Sequence, residues 1–278
     1  MPAKIISIIN IKGGVGKSTI AMNLAHAIRR MDRNVLLIDV DMQSNLTDMA
    51  IKDVEKITAT VYDVIMDEER TISQTIYESV IPGVDIVPSD LRLIAVQREI
   101  DPIRNPDSLV ILRNKIDQEA RQKYDYIIID CRPDVDLLTV NALMASHYYM
   151  IPVFPDRHSV KGIKLTDTYL RNILKSNRDL KELGIVINNF DTRTTLSKLM
   201  YSKLSELFGQ RLMKTVIKVN QGIATAAARR QSVFQFDLRQ SGCHSFRKLA
   251  SEVLERVGDI VISEADVNED EEVETAVS

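Results

Sequence analysis

The sequence predicts an α/β fold, a doubly wound and mostly parallel sheet flanked by helices. Two observations lead to this prediction: short apolar runs alternate with helical stretches, and several of the runs are β-branched without polar alternation. Strands buried on both faces have that composition, and regular alternation of strand and helix is typical of parallel sheets. No internal repeat and no Gly/Ser-rich linker interrupts the pattern, so we predict a single domain over residues 1–263.

The predicted strands and helices alternate along most of the chain. The predicted strands are 5–10, 35–39, 84–88, 126–130, 148–153, 184–189 and 214–218. The predicted helices are 18–30, 60–66, 91–100, 108–122, 137–146, 160–177, 195–208 and 243–261. The first strand leads into the first helix through a glycine-rich turn, which is the natural place to look for function.

The charge is unevenly distributed along the chain. The net charge is −3, but segment 264–278 holds seven acidic residues and no basic one, which leaves +4 on residues 1–263. An acidic segment without aromatic residues cannot bury enough apolar surface to fold. We therefore expect a disordered acidic tail after a mildly basic domain.

Cysteine content and hydropathy argue against secreted and membrane-spanning classes. Cys131 and Cys243 are too few and too far apart for a disulfide framework or a CxxC metal site. A reduced, cytoplasmic setting is the simple expectation. Residues 1–4 lead straight into strand-like sequence, unlike a signal peptide, and no apolar run approaches the ~18 residues of a membrane helix.

A glycine-rich segment between the first strand and the first helix carries the main functional signal. It reads KGGVGKST and comprises Lys12, Gly13, Gly14, Val15, Gly16, Lys17, Ser18 and Thr19. It departs from GxxxxGK[ST] because Ile11 replaces the first glycine and Lys12 is an added lysine. Glycines let backbone N–H groups turn towards phosphates, and the following helix aims its N-terminus at the anion. The segment predicts an ATP and Mg²⁺ site, with Lys17 on the β- and γ-phosphates and Ser18 on the metal.

Acidic residues end two further predicted strands. Asp39 and Asp41 follow one buried run, and Asp130 ends another. Ligands of open α/β sheets bind at the carboxyl ends of strands, so we expect all three to converge on the glycine-rich segment. Asp130 fits the Walker B role of holding Mg²⁺, Asp41 is suited to position the attacking water, and Asp39 to support the metal shell. Helix capping is the alternative for any one of them, but it fits all three together poorly.

Several motifs together resemble the ParA/Soj partition ATPases, a deviant-Walker group that also includes MinD. They are KGGVGKST, LLIDVDMQSN and YDYIIIDCRPDVDLLTVNAL, followed by GIVINNFDTRTTLSKLM and KTVIKVNQGI. The resemblance covers roughly residues 4–257. It implies a P-loop NTPase fold of the SIMIBI type, and slow, partner-stimulated hydrolysis of ATP to ADP and phosphate.

The resemblance also implies roles for single residues. Lys12 resembles the signature lysine, which reaches the partner's nucleotide across a sandwich homodimer, and Gly14 lies at that dimer contact. Asp41 matches the aspartate needed for hydrolysis, so Lys12, Lys17 and Asp41 are the implied catalytic residues. Ser18, Asp39 and Asp130 form the predicted metal set. Three further residues match positions on the adenine side: Asn188, Lys218 and Asn220.

DNA is an implied partner. Members of the family bind DNA non-specifically as ATP dimers, and a ParB-type centromere-binding adaptor stimulates them, which segregates plasmids or chromosomes. Arg193 matches a DNA-binding arginine, whereas Gly222 stands where a second one is common. Arg229 and Arg230 are the candidates to replace that second arginine. The resemblance therefore implies a cytoplasmic, nucleoid-associated protein.

Two departures from the family pattern lie close to the predicted active site. Met42 and Arg132 each stand where the family usually has proline. Because Arg132 directly follows the Walker B segment, the detailed behaviour of the family's nucleotide switch is not carried over to this chain.

Two other classes of the same superfamily are alternatives. A MinD-like, membrane-associated positioning ATPase carries a basic amphipathic helix at its C-terminus, whereas residues 264–278 are acidic. An iron-protein reductase or cluster-assembly scaffold needs cysteines that ligate the cluster, and Cys131 and Cys243 form no paired motif. The sequence favours a partition ATPase without a membrane partner.

Overall fold

An eight-stranded sheet runs through the computed structural model, which describes residues 2–239 and 241–259. The strands are β1 (Lys4–Ile8), β2 (Val35–Asp39), β3 (Tyr77–Glu78), β4 (Val84–Val87), β5 (Tyr126–Asp130), β6 (Tyr148–Val153), β7 (Lys181–Phe190) and β8 (Leu212–Lys218). Their order is β3-β4-β2-β5-β1-β6-β7-β8. Every neighbouring pair is parallel except β3 and β4. The predicted mostly parallel sheet is confirmed, and each predicted strand is present.

The described residues also contain eleven α-helices. They are α1 (Lys17–Arg29), α2 (Asn45–Ala50), α3 (Val61–Met66), α4 (Leu93–Glu99), α5 (Ile111–Glu119), α6 (Leu137–Ala145), α7 (Ser159–Ser176), α8 (Thr195–Phe208), α9 (Gln221–Ala228), α10 (Val233–Phe236) and α11 (Ser241–Arg256). Each predicted helix occurs, although the one at 108–122 divides into α5 and two flanking 3₁₀ turns. Three short helices were not predicted: α2, α9 and α10.

Each face of the sheet packs against its own set of helices. In β1, Ile5 contributes to one hydrophobic core, whereas Ile6 and Ile8 contribute to the other. Helices α3 to α8 complete the first core, and α1, α2, α10 and α11 complete the second. Because both faces are covered, the central strands need apolar residues at every position. The doubly wound arrangement is therefore confirmed.

The carboxyl ends of the central strands meet at one edge of the sheet. Asp39 pairs in register with Asp130 across β2 and β5, and Asp130 pairs with Ile8 across β5 and β1. The glycine-rich segment begins just beyond Ile8, so the topology places it beside both aspartates. Open α/β sheets bind their ligands at such an edge.

A buried glutamate fixes β8 against α11. The carboxylate of Glu252 accepts hydrogen bonds from the backbone N–H groups of Lys214 at 2.9 Å and Thr215 at 2.8 Å. It also forms an ion pair with Arg256 at 2.7 Å. The register between β7 and β8 shifts twice, so the regular strand-to-strand hydrogen bonds are interrupted there. The Glu252 carboxylate accepts hydrogen bonds from two β8 N–H groups in this irregular region.

The sequence predicted no membrane-spanning helix and an acidic tail after the domain. Across residues 2–239 and 241–259, no helix combines the length and the apolar character that a bilayer span requires. The predicted acidic tail, 264–278, lies outside the described residues.

Candidate nucleotide-binding site

The glycine-rich segment forms a tight loop between β1 and α1. Gly14 and Gly16 have φ angles of 73° and 87°, in the left-handed region that favours glycine. A Cβ on Gly16 would collide with Nδ2 of Asn188, and the same amide donates to the carbonyl of Val15 at 2.9 Å. Helix α1 begins without a side-chain cap and without an acidic residue in its first turn. Its first N–H groups are therefore available to an anion.

Lys17 supplies a buried positive charge at the base of this loop. Its side chain is almost inaccessible, and Nζ makes one long hydrogen bond of 3.4 Å, to the carbonyl of Asn10. Burial lowers the pKa of Lys17, while the charges of Asp130 and Asp41 act in the opposite direction. Such an ammonium is well placed to receive phosphate oxygens, since they would replace the hydration that burial removes.

Asp130 is a buried carboxylate at the base of the loop, close to the Ser18 hydroxyl and to Lys17. The residue is 1% exposed, and neither carboxylate oxygen accepts a hydrogen bond from the described residues. Burial, followed by the charge of Asp39, raises the pKa of Asp130 well above its usual range, while the nearby Ser18 hydroxyl and Lys17 oppose the shift. An unsatisfied buried carboxylate is costly, and oxygen ligands of this kind suit Mg²⁺. Ser18 and Asp130 therefore fit a magnesium ion shared with bound phosphates.

Asp39 holds Asp41 in place. Its oxygens accept hydrogen bonds from the backbone of Asp41 at 3.0 Å, and from the backbone and hydroxyl of Thr47 at 2.9 and 2.8 Å. Burial raises the pKa of Asp39 to about 6, against the effect of these bonds. Both oxygens are thus engaged by the segment that follows β2, and the metal role of Asp39 stays a prediction. Asp41 itself is 7% exposed, at the carboxyl edge that the loop occupies.

Lys12 lies beside the phosphate cradle rather than inside it. Its ammonium forms an ion pair with Asp156, just beyond the end of β6, and its side chain is 29% exposed. Burial tends to raise the pKa of Asp156, but Lys12 and the backbone N–H of His158 hold it below its usual value. The two lysines of the loop thus have different surroundings: Lys17 is enclosed, and Lys12 is reachable from outside.

Arg132 links the loop that follows β5 to the loop that follows β2. Its buried guanidinium donates to Asp136 at 2.5 Å and contacts the sulfur of Met42 at 3.7 Å. Asp136 in turn caps α6 by accepting from the backbone of Thr139 at 2.9 Å. The two positions where this chain departs from the family's prolines are therefore in contact with each other.

The residues predicted on the adenine side lie along the same sheet edge. Asn188 braces the loop, as described above. Lys218 ends β8, and Asn220 caps α9 by accepting from the backbone of Gly222 at 2.6 Å. Asn220 also donates to the Ser241 hydroxyl at 2.8 Å. The structure thus brings Asn188 to the cradle and places the other two further along.

The predicted DNA-binding residues are on the surface, in two places. Arg193 follows β7, is 81% exposed, and pairs with Asp191 through two hydrogen bonds of 2.9 Å. Arg229 and Arg230 directly follow α9, and the guanidinium carbon of Arg229 lies 5.3 Å from the centroid of the Phe236 ring. All three arginines are accessible to a large anionic partner.

Asp156 and Asp136 are site residues that the sequence did not reveal. Asp156 follows a strand end, as Asp41 does, so the same topological rule applied to β6 would have found it. The two cysteines, by contrast, are both buried and free. Burial raises the pKa of Cys131 to about 12 and that of Cys243 to about 11, which argues against thiolate ligation of a cluster.

Known proteins resemble this chain in sequence over nearly its whole length. Residues 3–182 match the AAA domain family. The chain is 32% identical to the sporulation initiation inhibitor protein Soj of Bacillus subtilis over 251 residues, which cover 90% of this chain and 98% of Soj. It is also 32% identical to the chromosome partitioning protein ParA of Caulobacter vibrioides, over 93% and 96% of the two chains.

Solved structures of other proteins are also similar to this chain. A putative plasmid partition protein from Borrelia burgdorferi, bound to AMPPNP, is 28% identical, with a TM-score of 0.77 over 91% of this chain and 99% of that one. Cobyrinic acid a,c-diamide synthase from Mycobacterium smegmatis shares the fold, with a TM-score of 0.77 at 22% identity over 90% and 93% of the chains. With the phosphate loop, the aspartates at the strand ends and these relatives together, the chain belongs to the ParA/Soj family of P-loop ATPases.

Proposed function

We propose that this chain is a ParA-like ATPase that dimerises on ATP, binds DNA non-specifically and drives plasmid or chromosome partition with a ParB-type partner. The environment of Lys12 supports this proposal most directly. A lysine used only for phosphate binding would be enclosed like Lys17, whereas Lys12 is accessible and held by a single carboxylate. An ion pair this exposed contributes about 0–1 kcal/mol. A triphosphate presented by a second subunit would therefore replace Asp156 readily.

Within one subunit, the proposed chemistry is divided among four residues. Lys17 and the α1 N-terminus hold the β- and γ-phosphates, and Ser18 and Asp130 hold the metal. Mg²⁺, when bound, neutralises charge on the phosphates. Asp41, fixed through its backbone by Asp39, orients the attacking water and accepts its proton. Lys12 of each subunit completes the other subunit's site, which couples hydrolysis to dimerisation.

The accessible arginines support the DNA part of the proposal. Arg193, Arg229 and Arg230 suit contacts to phosphates, which carry no sequence information. Such binding weakens steeply as salt increases, because each neutralised phosphate releases counterions. In a cell, this interaction would keep the protein on the nucleoid within the cytoplasm.

ATP-dependent binding to non-specific duplex DNA is the experiment that tests the function. We expect DNA binding with ATP and Mg²⁺, little with ADP, and prolonged binding by Asp41→Ala, which blocks hydrolysis. Lys12→Ala should keep nucleotide binding but lose dimerisation and DNA binding. Lys175→Ala, which removes an exposed lysine in the last turn of α7, serves as the matched control. If neither the natural chain nor Asp41→Ala binds DNA with ATP, the proposed function is wrong.

A further inference from the structure

A cationic surface surrounds α10, on the sheet face that carries α1 and α11. The guanidinium carbons of Arg30 and Arg247 lie 5.7 and 6.0 Å from the centroid of the Phe234 ring. Arg229 lies in the same way over Phe236, at 5.3 Å. Stacking on aromatic faces holds cations in place at little cost. The α10 cationic patch consists of Arg30, Lys52, Arg229, Arg230 and Arg247.

The positive charge of this patch is only partly compensated. Arg230 donates to the backbone carbonyl of Lys52 at 2.7 Å, a neutral acceptor that leaves its charge free to act. Among the ion pairs within residues 2–239 and 241–259, none joins a carboxylate to a member of the patch. Asp237 borders it, because its charge and that of Arg30 both act on the Cys243 thiol. Asp53 also borders the patch, because its charge interacts with that of Lys52, but it is already paired with Lys56. Two bordering carboxylates cannot neutralise five cations.

The described chain ends close to this patch. Asp259, the last described residue, accepts from Arg33 at 3.3 Å and from the hydroxyl of Tyr126 at 2.7 Å. Arg33 is three residues beyond Arg30, so the two α-carbons are at most about 11 Å apart. Residues 260–278 can span about 60 Å when extended. The first acidic residue of the tail, Glu264, is therefore within reach of Arg30, and the remaining acids can reach the whole patch.

We propose that the acidic segment 264–278 docks on the α10 cationic patch of its own chain and competes there with DNA. Seven carboxylates without a basic residue match the excess charge of the patch, and covalent attachment gives the segment a high effective concentration. The competition rests on the proposed DNA binding, whereas the docking does not. Release of the segment would be one way to make the patch available to nucleic acid.

Docking is tested without DNA, on a full-length chain whose seven tail acids are amidated: E264Q, D266N, E269Q, D270N, E271Q, E272Q and E274Q. A fluorescein-labelled peptide of sequence 264–278 is titrated with this protein, and its anisotropy is measured. We expect Arg30→Gln with Arg229→Gln to weaken binding at least about fivefold at low salt. The matched control, Arg171→Gln with Arg178→Gln, removes two exposed arginines at α7 on the opposite sheet face and should leave binding unchanged. Equal effects of the two pairs, or no peptide binding, would overturn the docking.

The competition is tested with duplex DNA, ATP and Mg²⁺. The tail-amidated chain should bind DNA about three- to tenfold more tightly than the natural chain at about 100 mM salt, with the difference shrinking as salt rises. Adding Arg30→Gln with Arg247→Gln, two patch members that are not among the proposed DNA contacts, to both chains should abolish that difference, whereas Arg171→Gln with Arg178→Gln should leave it unchanged. If the peptide binds the patch but neither chain binds DNA, the proposed function fails and the docking stands. If both chains bind DNA equally, the competition is refuted.

Discussion

Replacement of Asp130 by asparagine should stabilise the protein and at the same time remove its response to magnesium. The carboxylate is 1% exposed, and no hydrogen bond of good geometry from the described residues reaches its oxygens. The nearby Ser18 hydroxyl still favours its charged form. Burying a neutral polar group without a hydrogen bond costs about 1–3 kcal/mol of folding free energy, and burying a charged group in this way costs more. The amide that replaces it is also buried and unpaired, and Lys17 offsets part of the original cost. We therefore expect a net gain of about 1–2 kcal/mol in the free energy of unfolding.

The gain should depend on pH. Because burial raises the pKa of Asp130 in the folded state, the unfolded chain ionises this group at a lower pH than the folded chain does. The penalty is thus absent below the ordinary value of 3.8 and grows as pH rises towards the folded-state pKa. Asp130→Asn should consequently stabilise more at about pH 8 than at about pH 5.

Thermal unfolding with and without ligand provides the assay. For a chain of this size, about 1–2 kcal/mol corresponds to a rise of about 2–6 °C in Tm. Saturating Mg·ATP at about 100 times its Kd should stabilise the natural chain by about 2.7 kcal/mol. Asp130→Asn should show the same small shift with ATP whether Mg²⁺ or EDTA is present, and the exposed control Asp107→Asn should match the natural chain.

A fall in Tm of several degrees for Asp130→Asn without ligand would refute this reasoning, because it would mean that the carboxylate stabilises the folded state through a partner. A preserved Mg²⁺-dependent increment would refute the assignment of Asp130 to the metal.

Three further measurements probe other parts of the structure. Gly16→Ala should lower ATP affinity at least about tenfold by calorimetry, because its Cβ would collide with the Asn188 amide; Gly209→Ala, with open space around it, should not. Glu252→Gln should reduce the free energy of unfolding in urea by about 1–3 kcal/mol, and an unchanged midpoint would contradict its role in holding β8. Burial lowers the pKa of His26 from 6.5 to about 4, so over this range the unfolded chain binds a proton that the folded chain excludes. Stability should therefore decrease as the pH is lowered through this range, and His26→Gln should flatten that decrease in a Tm series.

Local composition was sufficient to predict the central sheet. The apolar runs of β1, β2 and β5 are buried on both faces, and few other structures accept such sequence. The strand β3 is only two residues long and pairs at the edge, so it leaves no pattern to detect. Similarly, α10 has only four residues, which is too short for a helical period to appear, although Ser232 and Gln235 form a capping box at its start.

The functional site was predicted where topology alone determines position. Asp130 and Asp41 had to meet the loop because parallel strands share their carboxyl edge. The role of Asp39 was not predictable in this way, because its partner Thr47 lies eight residues away in α2. Lys12 and Asp156, which form an ion pair, are 144 residues apart in the sequence, so no local sequence pattern predicts their contact.

The contact between Arg132 and Met42 joins two positions that lie 90 residues apart in the sequence. One guanidinium nitrogen of Arg132 lies 3.7 Å from the Met42 sulfur. Neighbours in contact do not contribute additively to stability, so reverting one of them alone would create a combination that neither this chain nor the family pattern contains. We therefore expect the effects of replacing Met42 and Arg132 on the free energy of unfolding to be coupled, so a chimera with a relative should exchange both loops together.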